Sequence, residues 1–290
     1  LDVEVIEGDL RDADAVAKAV QGMEIIFHEA AFVSVPESME KPQECFDVNV
    51  TGTSILFEAA RKAGVKRAVF ATSAAVYGDS EAYPLSEDTP LRQLSPYATS
   101  KRVDELYGQL YTSSFNFEVV ALRYFNVYGP REQHKGRMAS VAFHHFHQLR
   151  AHGRVRLFGS YGGYGPGQQA RDFVFVDDVV SVNLWFLQHP DRSGIFNLGS
   201  GHAQPFNDVA LAMVTAARGQ AGEPPLGLEA MVRQGLLEYI DFPEDLAGRY
   251  QCFTEADLTR HLAFAGRQFL PQPGGGLALP RFGHRRRRRR

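Results

Sequence analysis

The residues best suited by type and spacing to acid–base chemistry are Tyr97 and Lys101, within the stretch Ser95-Pro-Tyr-Ala-Thr-Ser-Lys101. Pro96 suits the first turn of a helix, and apolar side chains follow at helical spacing: Val103, Leu106, Tyr107 and Leu110. Positions four apart share one helix face, so the ammonium would favour the phenolate and lower the pKa of Tyr97. The spacing therefore predicts an acid–base pair that works near neutral pH. The alternative is a surface helix on which these two residues have no joint role.

The elements around this pair predict how it is positioned. Ser73 follows the apolar run 67–72, which reads as a strand, and residues 117–123 read as the next strand. Further predicted elements are a β-rich run at 1–8, a helix at 12–20 capped by Asp12, a strand at 24–28, and a helix at 45–63 ended by Gly64. Alternating strands and helices imply right-handed crossovers and a parallel sheet. Ligands bind beyond the carboxyl ends of such strands.

The composition is that of a globular protein with a sizeable core. The 290 residues are 44% hydrophobic and 22% charged, and no apolar run of about 18 residues predicts a membrane span. No signal peptide is visible, and two distant cysteines, Cys45 and Cys252, form neither a disulfide framework nor a metal pattern, so a cytoplasmic setting is expected. Six consecutive arginines, residues 285–290, mask an acidic body. Without them 25 basic residues remain against 34 acidic ones, which disfavours a nucleic-acid-binding domain.

Several blocks of the sequence carry a family resemblance. Ser73 with Tyr97 and Lys101 resembles the triad of the short-chain dehydrogenase/reductase superfamily, and Tyr77-Gly78 is typical of its extended, sugar-nucleotide-modifying branch. The block 124–131, Tyr-Phe-Asn-Val-Tyr-Gly-Pro-Arg, is also typical of that branch. Its continuation through residues 132–144 resembles the ADP-L-glycero-D-manno-heptose 6-epimerase family. The resemblance continues in blocks 171–178, 182–186, 194–199, 248–251 and 254–259.

The resemblance implies an α/β fold, a Rossmann-like doubly wound parallel sheet with a smaller C-terminal substrate-binding lobe. Residues 1–130 are expected to form an incomplete dinucleotide-binding domain. Residues 131–262 are expected to be mainly substrate-binding, with segments that return to the main domain. No glycine-rich strand-to-helix turn opens the sequence, so we expect the first β-α-β unit to be missing by truncation. The Pro/Gly-rich, arginine-rich end, residues 263–290, is expected to be a disordered product of a frameshift.

For a heptose 6-epimerase the resemblance implies transient oxidation at C6 of ADP-D-glycero-β-D-manno-heptose, with NADP bound and NAD as the alternative. Inversion needs an acid–base group for each hydroxyl orientation, and the family positions for these groups match Tyr97 and Lys135. Ser73 would hydrogen-bond the reacting oxygen, and Lys101 would bind the nicotinamide ribose.

The remaining site residues are also implied by the resemblance. Cofactor contacts would come from Asp9, Leu10, Glu29, Ala30, Ala31, Asn49, Tyr97, Lys101, Val127 and Lys135. Substrate contacts would come from Asn126, Arg137, His144, Phe158, Arg171 and Tyr250. No metal is expected, because no carboxylate or cysteine completes a site with His144 and His147.

Two other functions remain open. Segments 31–39 and 48–53 look more like UDP-hexose 4-epimerases, NAD-dependent relatives in which Tyr97 alone would serve both sugar faces. Truncation at both ends would also suit a remnant that folds and binds a sugar nucleotide without catalysis. The heptose family forms ring-shaped oligomers, so a homo-oligomer is expected, with no nucleic-acid or membrane partner.

Overall fold

The computed structural model describes residues 3–247 and 250–258. Its strands are β1 (Ile25–His28), β2 (Arg67–Ser73), β3 (Glu118–Tyr124), β4 (Asn126–Tyr128), β5 (Val155–Phe158), β6 (Ala170–Phe175), β7 (Gly194–Leu198), β8 (Ala203–Pro205) and β9 (Leu237–Ile240). Its α-helices are α1 (Ala13–Ala19), α2 (Val35–Glu40), α3 (Pro42–Phe46), α4 (Gly52–Ala63), α5 (Pro96–Phe115), α6 (Val141–His152), α7 (Val176–Gln188), α8 (Phe206–Gln220) and α9 (Leu228–Arg233). Shorter helical turns are π-helical Asp47–Thr51 and 3-10 Ala74–Tyr77, Gln133–Met138 and Glu244–Leu246.

A parallel sheet in the order β1-β2-β3-β7 forms the centre of the fold. Both faces are covered by helices, which explains why its strands read as continuous apolar runs. Val119 and Ala121 of β3 point into a core shared with α1, α4 and α5, whereas Val120 and Leu122 point into a core under α7. This arrangement confirms the predicted Rossmann-like α/β fold.

Local signals begin and end the helices where the sequence predicts. Asp12 caps α1 by accepting from two backbone N–H groups, and Gly64 ends α4 in the left-handed region at φ 79°. The predicted helix 45–63 is interrupted, however. The π-helical turn at 47–51 separates α3 from α4, so one wide turn inserts an extra residue into the helical path.

Elements from the second half of the chain form a second group outside the main sheet. Strands β4, β6 and β8 form a three-stranded sheet, and β5 pairs with β9. Helices α6, α8 and α9 cover these strands over a core that includes Val155, Val214 and Leu237. The chain returns to the main sheet through α7 and β7. The predicted division at residues 130 and 262, with segments that return to the main domain, stays a prediction.

The predicted β-rich run at residues 1–8 is wrong over its described part, 3–8. Val3 and Val5 are 69% and 83% exposed, and the segment forms no strand. A strand needs a neighbouring strand to hydrogen-bond with, and none lies beside this segment in the described chain. Predictions for residues 248, 249 and 259–290, including the tail, lie outside the described residues. Across the described helices, no stretch has the length and apolarity that crossing a membrane requires.

Candidate functional site

The predicted acid–base pair forms at the carboxyl end of β2. The Ser95 hydroxyl caps α5 by accepting a backbone N–H at 3.1 Å, which places Tyr97 and Lys101 in its first two turns. Ser73, the last residue of β2, hydrogen-bonds the Tyr97 phenol. The Lys101 Nζ donates to the Ala71 carbonyl at 2.9 Å. Hydroxyl, phenol and ammonium are therefore all tied to one strand end.

Burial changes the electrostatics expected for this pair. Tyr97 is 8% exposed and Lys101 is 3% exposed. Burial raises the pKa of Tyr97, and the hydrogen bond from Ser73 offsets the rise only in part. Burial also lowers the pKa of Lys101. The predicted lowering of the Tyr97 pKa is thus wrong for this structure. Removing the phenolate from water destabilises it more than the neighbouring groups stabilise it.

Asn49 lies in the π-helical turn, and its amide is engaged within the protein. Its Oδ1 accepts from the Phe32 N–H at 2.7 Å, and its Nδ2 donates to the Phe32 carbonyl at 3.0 Å. The same Nδ2 donates to Ser100 Oγ at 2.8 Å. Asn49 therefore fastens the loop that contains Ala30 and Ala31 to α5. Its side chain positions that loop, and the predicted contact of Asn49 with the cofactor stays a prediction.

The other predicted cofactor residues lie in separate segments of the chain. Glu29 follows β1 and accepts from the Tyr124 hydroxyl at 3.0 Å, so it links the carboxyl ends of β1 and β3. Asp9 is exposed and bound by Arg11 at 2.6 Å, and that hydrogen bond lowers the pKa of Asp9 to about 2. The side chains of Leu10 and Val127 pack against the two cores of the main sheet.

Lys135 lies in the 3-10 turn 133–138, as the loop prediction required. Its side chain is 41% exposed, and its Nζ is 3.9 Å from Oε2 of Glu132. Glu132 itself is buried, and accepts from the Gly129 N–H at 3.1 Å and from the Ser140 N–H at 2.7 Å. This carboxylate therefore joins the end of β4, the Lys135 turn and the start of α6. Sequence reasoning missed Glu132.

Arg137 and His144, two predicted substrate contacts, are brought together by the same loop. The His144 Nε2 lies 3.3 Å from the Arg137 carbonyl, and the Arg137 side chain is exposed. Asn126, another predicted contact, donates from Nδ2 to the Asp172 carbonyl at 3.1 Å and to Thr254 Oγ1 at 3.3 Å. Its amide therefore ties β4 to β6 and to the segment 250–258.

Arg171, Tyr250 and Phe158 form one cluster, although they are far apart in sequence. The Arg171 guanidinium lies 4.9 Å from the centre of the Tyr250 ring and is 8% exposed. The Phe158 ring is 6.0 Å from Tyr250. Among the described residues no carboxylate neutralises Arg171, and burial lowers its pKa. Phe242, which sequence reasoning missed, contacts both Phe158 and Tyr250 at 5.2 and 5.3 Å.

A buried network behind the pair was also missed by sequence reasoning. Arg123 donates from Nε and Nη2 to the Glu105 carboxylate at 2.8 and 2.9 Å, and from Nη1 to the Tyr77 hydroxyl at 2.8 Å. Tyr77 then donates to Asn197 Oδ1 at 2.6 Å. The network ties α5 to β3, β7 and the Tyr77-Gly78 turn. Gly78 is required there, because a Cβ would lie 1.8 Å from a backbone oxygen.

The described residues fit the nicotinamide half of a dinucleotide. The buried Lys101 ammonium makes one hydrogen bond in the described part of the chain, so two of its protons remain for ribose hydroxyls. No glycine-rich turn joins a strand to a helix there to hold a pyrophosphate. Nor do the described histidines, cysteines and carboxylates gather into a group of three that could hold a metal ion.

Comparisons with known proteins show the family and the fold of the chain. A family model described as "NAD dependent epimerase/dehydratase family" matches residues 1–199. UDP-N-acetylglucosamine 4-epimerase from Methanobrevibacter ruminantium, solved with UDP-N-acetylmuramic acid, is 27% identical with a TM-score of 0.73 over 88% of this chain and 74% of that chain. UDP-glucose 4-epimerase of Thermus thermophilus, solved with NAD, is 30% identical with a TM-score of 0.71 over 88% and 76%. UDP-glucose 4-epimerase of Thermotoga maritima, solved with UDP-glucose, is 26% identical with a TM-score of 0.71 over 87% and 75%.

Proposed function

The chain belongs to the NAD dependent epimerase/dehydratase family, and we propose that it inverts C6 of ADP-D-glycero-β-D-manno-heptose with NADP as its cofactor. The observation that carries the epimerase chemistry is the cluster of Ser73, Tyr97 and Lys101 at the end of β2. The heptose specificity is supported by the resemblance of residues 132–144, which supply Lys135 as a second acid–base group.

The chain supplies proton transfer and positioning to this reaction. When bound, the nicotinamide cofactor oxidises the sugar carbon and reduces it again. Tyr97 takes or returns the proton of the C6 hydroxyl in one orientation, and Lys135 does so in the other. Ser73 would hydrogen-bond the reacting oxygen, and Lys101 would hold the ribose hydroxyls of the cofactor. With one acid–base group for each hydroxyl orientation, the chain could serve both configurations at C6.

The Arg171 cluster is proposed as the diphosphate site of the substrate. A guanidinium pairs well with two neighbouring phosphates through parallel hydrogen bonds. Arg171 is buried yet has no carboxylate partner in the described chain, so a bound anion would supply the missing charge. Phe158 and Tyr250 give the site apolar walls suited to the rest of the nucleotide.

A UDP-hexose 4-epimerase is the second candidate. Its support is the similarity to 4-epimerases that were solved with UDP-sugars or NAD. In such an enzyme Tyr97 would act on both faces, and Lys135 would have no catalytic role. NAD would then replace NADP as the cofactor.

A homo-oligomer remains part of the proposal. Leu106 and Leu110 are 49% and 47% exposed on the outer face of α5, next to the partly exposed Tyr107. In the described chain, apolar side chains whose spacing predicted the helix therefore face outward. A second copy would cover these side chains, and light scattering during gel filtration would report it.

Calorimetry with this chain distinguishes the candidates. We expect ADP-mannose to bind more tightly than UDP-glucose, and NADP more tightly than NAD. Arg171→Met should weaken both sugar nucleotides while leaving NADP binding unchanged. Tighter binding of UDP-glucose would favour the 4-epimerase, and sugar-nucleotide binding without dinucleotide binding would favour a non-catalytic binding protein.

A further inference from the structure

Asp104 is a buried carboxyl for which the proposed chemistry has no use. It lies on α5, three residues after Lys101 and seven after Tyr97, so the three side chains share one helix face. Asp104 is 2% exposed, and its Oδ2 has no hydrogen-bond partner among the described residues. Burying an ionised carboxylate without partners is costly, so the position calls for a compensating charge.

Most charged groups around Asp104 are already compensated. The titratable groups that interact electrostatically with Asp104 are Tyr97, Lys101 and Glu105 on α5 and Cys45 on α3. Glu29, after β1, acts on Lys101, and Arg102 and Arg123 bond to Glu105. Glu105 is held by two hydrogen bonds from Arg123, so these two charges neutralise each other. Burial raises the pKa of Cys45, which keeps its thiol neutral. Within the described chain, Asp104 and Lys101 remain without a neutralising contact.

Lys101 is a buried positive charge near this carboxyl. Its ammonium is buried, donates to a backbone carbonyl, and forms no ion pair in direct contact within the described chain. Burial lowers the pKa of Lys101, and Asp104 is the strongest of the negative groups that oppose this, ahead of Glu29 and Cys45. The two unpaired groups therefore act on each other through charge across the interior of the site.

We propose that Asp104 is the internal counter-charge of Lys101, a positioning residue whose carboxylate keeps the ammonium protonated beside Tyr97. The inference rests on the proposed function where it assigns Lys101 to the cofactor. The charge coupling between Asp104 and Lys101 does not depend on that function. Protonation of Asp104 would remove the counter-charge and leave the Lys101 ammonium isolated in the interior. The charge state of the site would then follow the titration of Asp104.

The burial of Asp104 predicts a neutral-range titration, which its coupling to Lys101 moderates. Burial raises the pKa of Asp104 to about 7, with Lys101 opposing the rise and Glu105 adding to it. An unfolded aspartate titrates at about 3.9. Between these two values the folded chain holds one more proton than the unfolded chain, so this group makes stability fall as pH rises from about 4 to about 7.

Carbon-13 NMR of the chain labelled at aspartate carboxyls tests the proposal without an activity assay. The Asp104 signal is assigned by its loss in Asp104→Asn. We expect its midpoint at about pH 7, at higher pH in Lys101→Met, and unchanged in Lys101→Arg, which keeps the positive charge. A midpoint in the ordinary aspartate range, or one that Lys101→Met does not move, would overturn the proposal.

Thermal unfolding provides a second measurement if a lysine variant does not fold. The melting temperature of Asp104→Asn minus that of the parent should increase between pH 5 and pH 8, because only the parent must ionise a buried carboxyl. Asp12→Asn, at the exposed cap of α1, is the control and should give a flat difference over this range. A flat difference for Asp104→Asn as well would contradict the inference. If the parent chain shows the coupling between Asp104 and Lys101 but no epimerase activity, the proposed function fails and the inference about Asp104 stands.

Discussion

The two proposed acid–base groups are held in opposite ways. Tyr97 is 8% exposed, lies on a helix of 20 residues, and bonds to a residue at the end of β2. Lys135 is 41% exposed on a 3-10 turn and has Glu132 as its ion-pair partner at 3.9 Å. The sheet therefore fixes Tyr97 before any ligand arrives, whereas the orientation of Lys135 depends on one loop. An acid–base group on a loop can reorient without disturbing the core.

The largest expected effect is that of Tyr97→Phe on epimerisation. Removing a positioned acid–base group typically slows a reaction by about 10²–10⁴-fold. Steady-state rates with ADP-heptose would measure the loss. Tyr107→Phe is the matched control, because Tyr107 lies on the same helix at its partly exposed face. A Tyr97→Phe enzyme with the parent rate would remove the strand-end site from the mechanism.

Lys135→Met should slow epimerisation within the same range of about 10²–10⁴-fold, because a second acid–base group is lost. Its effect on stability should be small, since the side chain is largely in solvent. Lys18→Met, on the exposed side of α1, is the control. If Lys135→Met epimerised at the parent rate while Tyr97→Phe was inactive, Tyr97 alone would serve both faces and the 4-epimerase assignment would replace the heptose one.

Arg123→Met should show how strongly the Tyr97 region depends on its buried network. The substitution leaves the Glu105 carboxylate without its two-bond partner, which typically costs about 3–5 kcal/mol. Arg102→Met removes a more exposed partner of the same carboxylate and should cost about 0–1 kcal/mol. Urea unfolding measures both, and equal losses would mean that burial of Arg123 contributes nothing.

Glu132→Gln should destabilise the turn that holds Lys135, by less than Arg123→Met destabilises the fold. Glutamine keeps the shape but cannot accept from both backbone N–H groups that face the carboxylate, a cost of about 1–3 kcal/mol. We expect a lower kcat with little change in the binding of NADP. Ser140→Ala, which removes one donor to Glu132, should give the same pattern more weakly. An unchanged kcat in both variants would show that Lys135 does not need this anchor.

Local patterns in the sequence accounted for much of the fold and for the centre of the site. The spacing of Tyr97 and Lys101, the Asp12 cap and the strand that leads to Ser73 depend on contacts between near neighbours, and the structure has all three. The apolar spacing of Leu106 and Leu110 predicted the helix correctly. It did not reveal that this face is exposed, because periodicity shows a face without showing what covers it.

The sequence by itself determined which residue types meet on α5 and, to within about a residue, where β1, β2 and β3 of the main sheet lie. Only the tertiary structure decided their electrostatics, since burial raises the pKa of Tyr97 where spacing alone predicted a lower one. It also joined Arg123 to Tyr77 and Glu105, and left Asp104 without a hydrogen-bond partner at Oδ2 among the described residues. The physical reason is that desolvation and pairing depend on every segment packed around a group, and those segments come from distant parts of the chain.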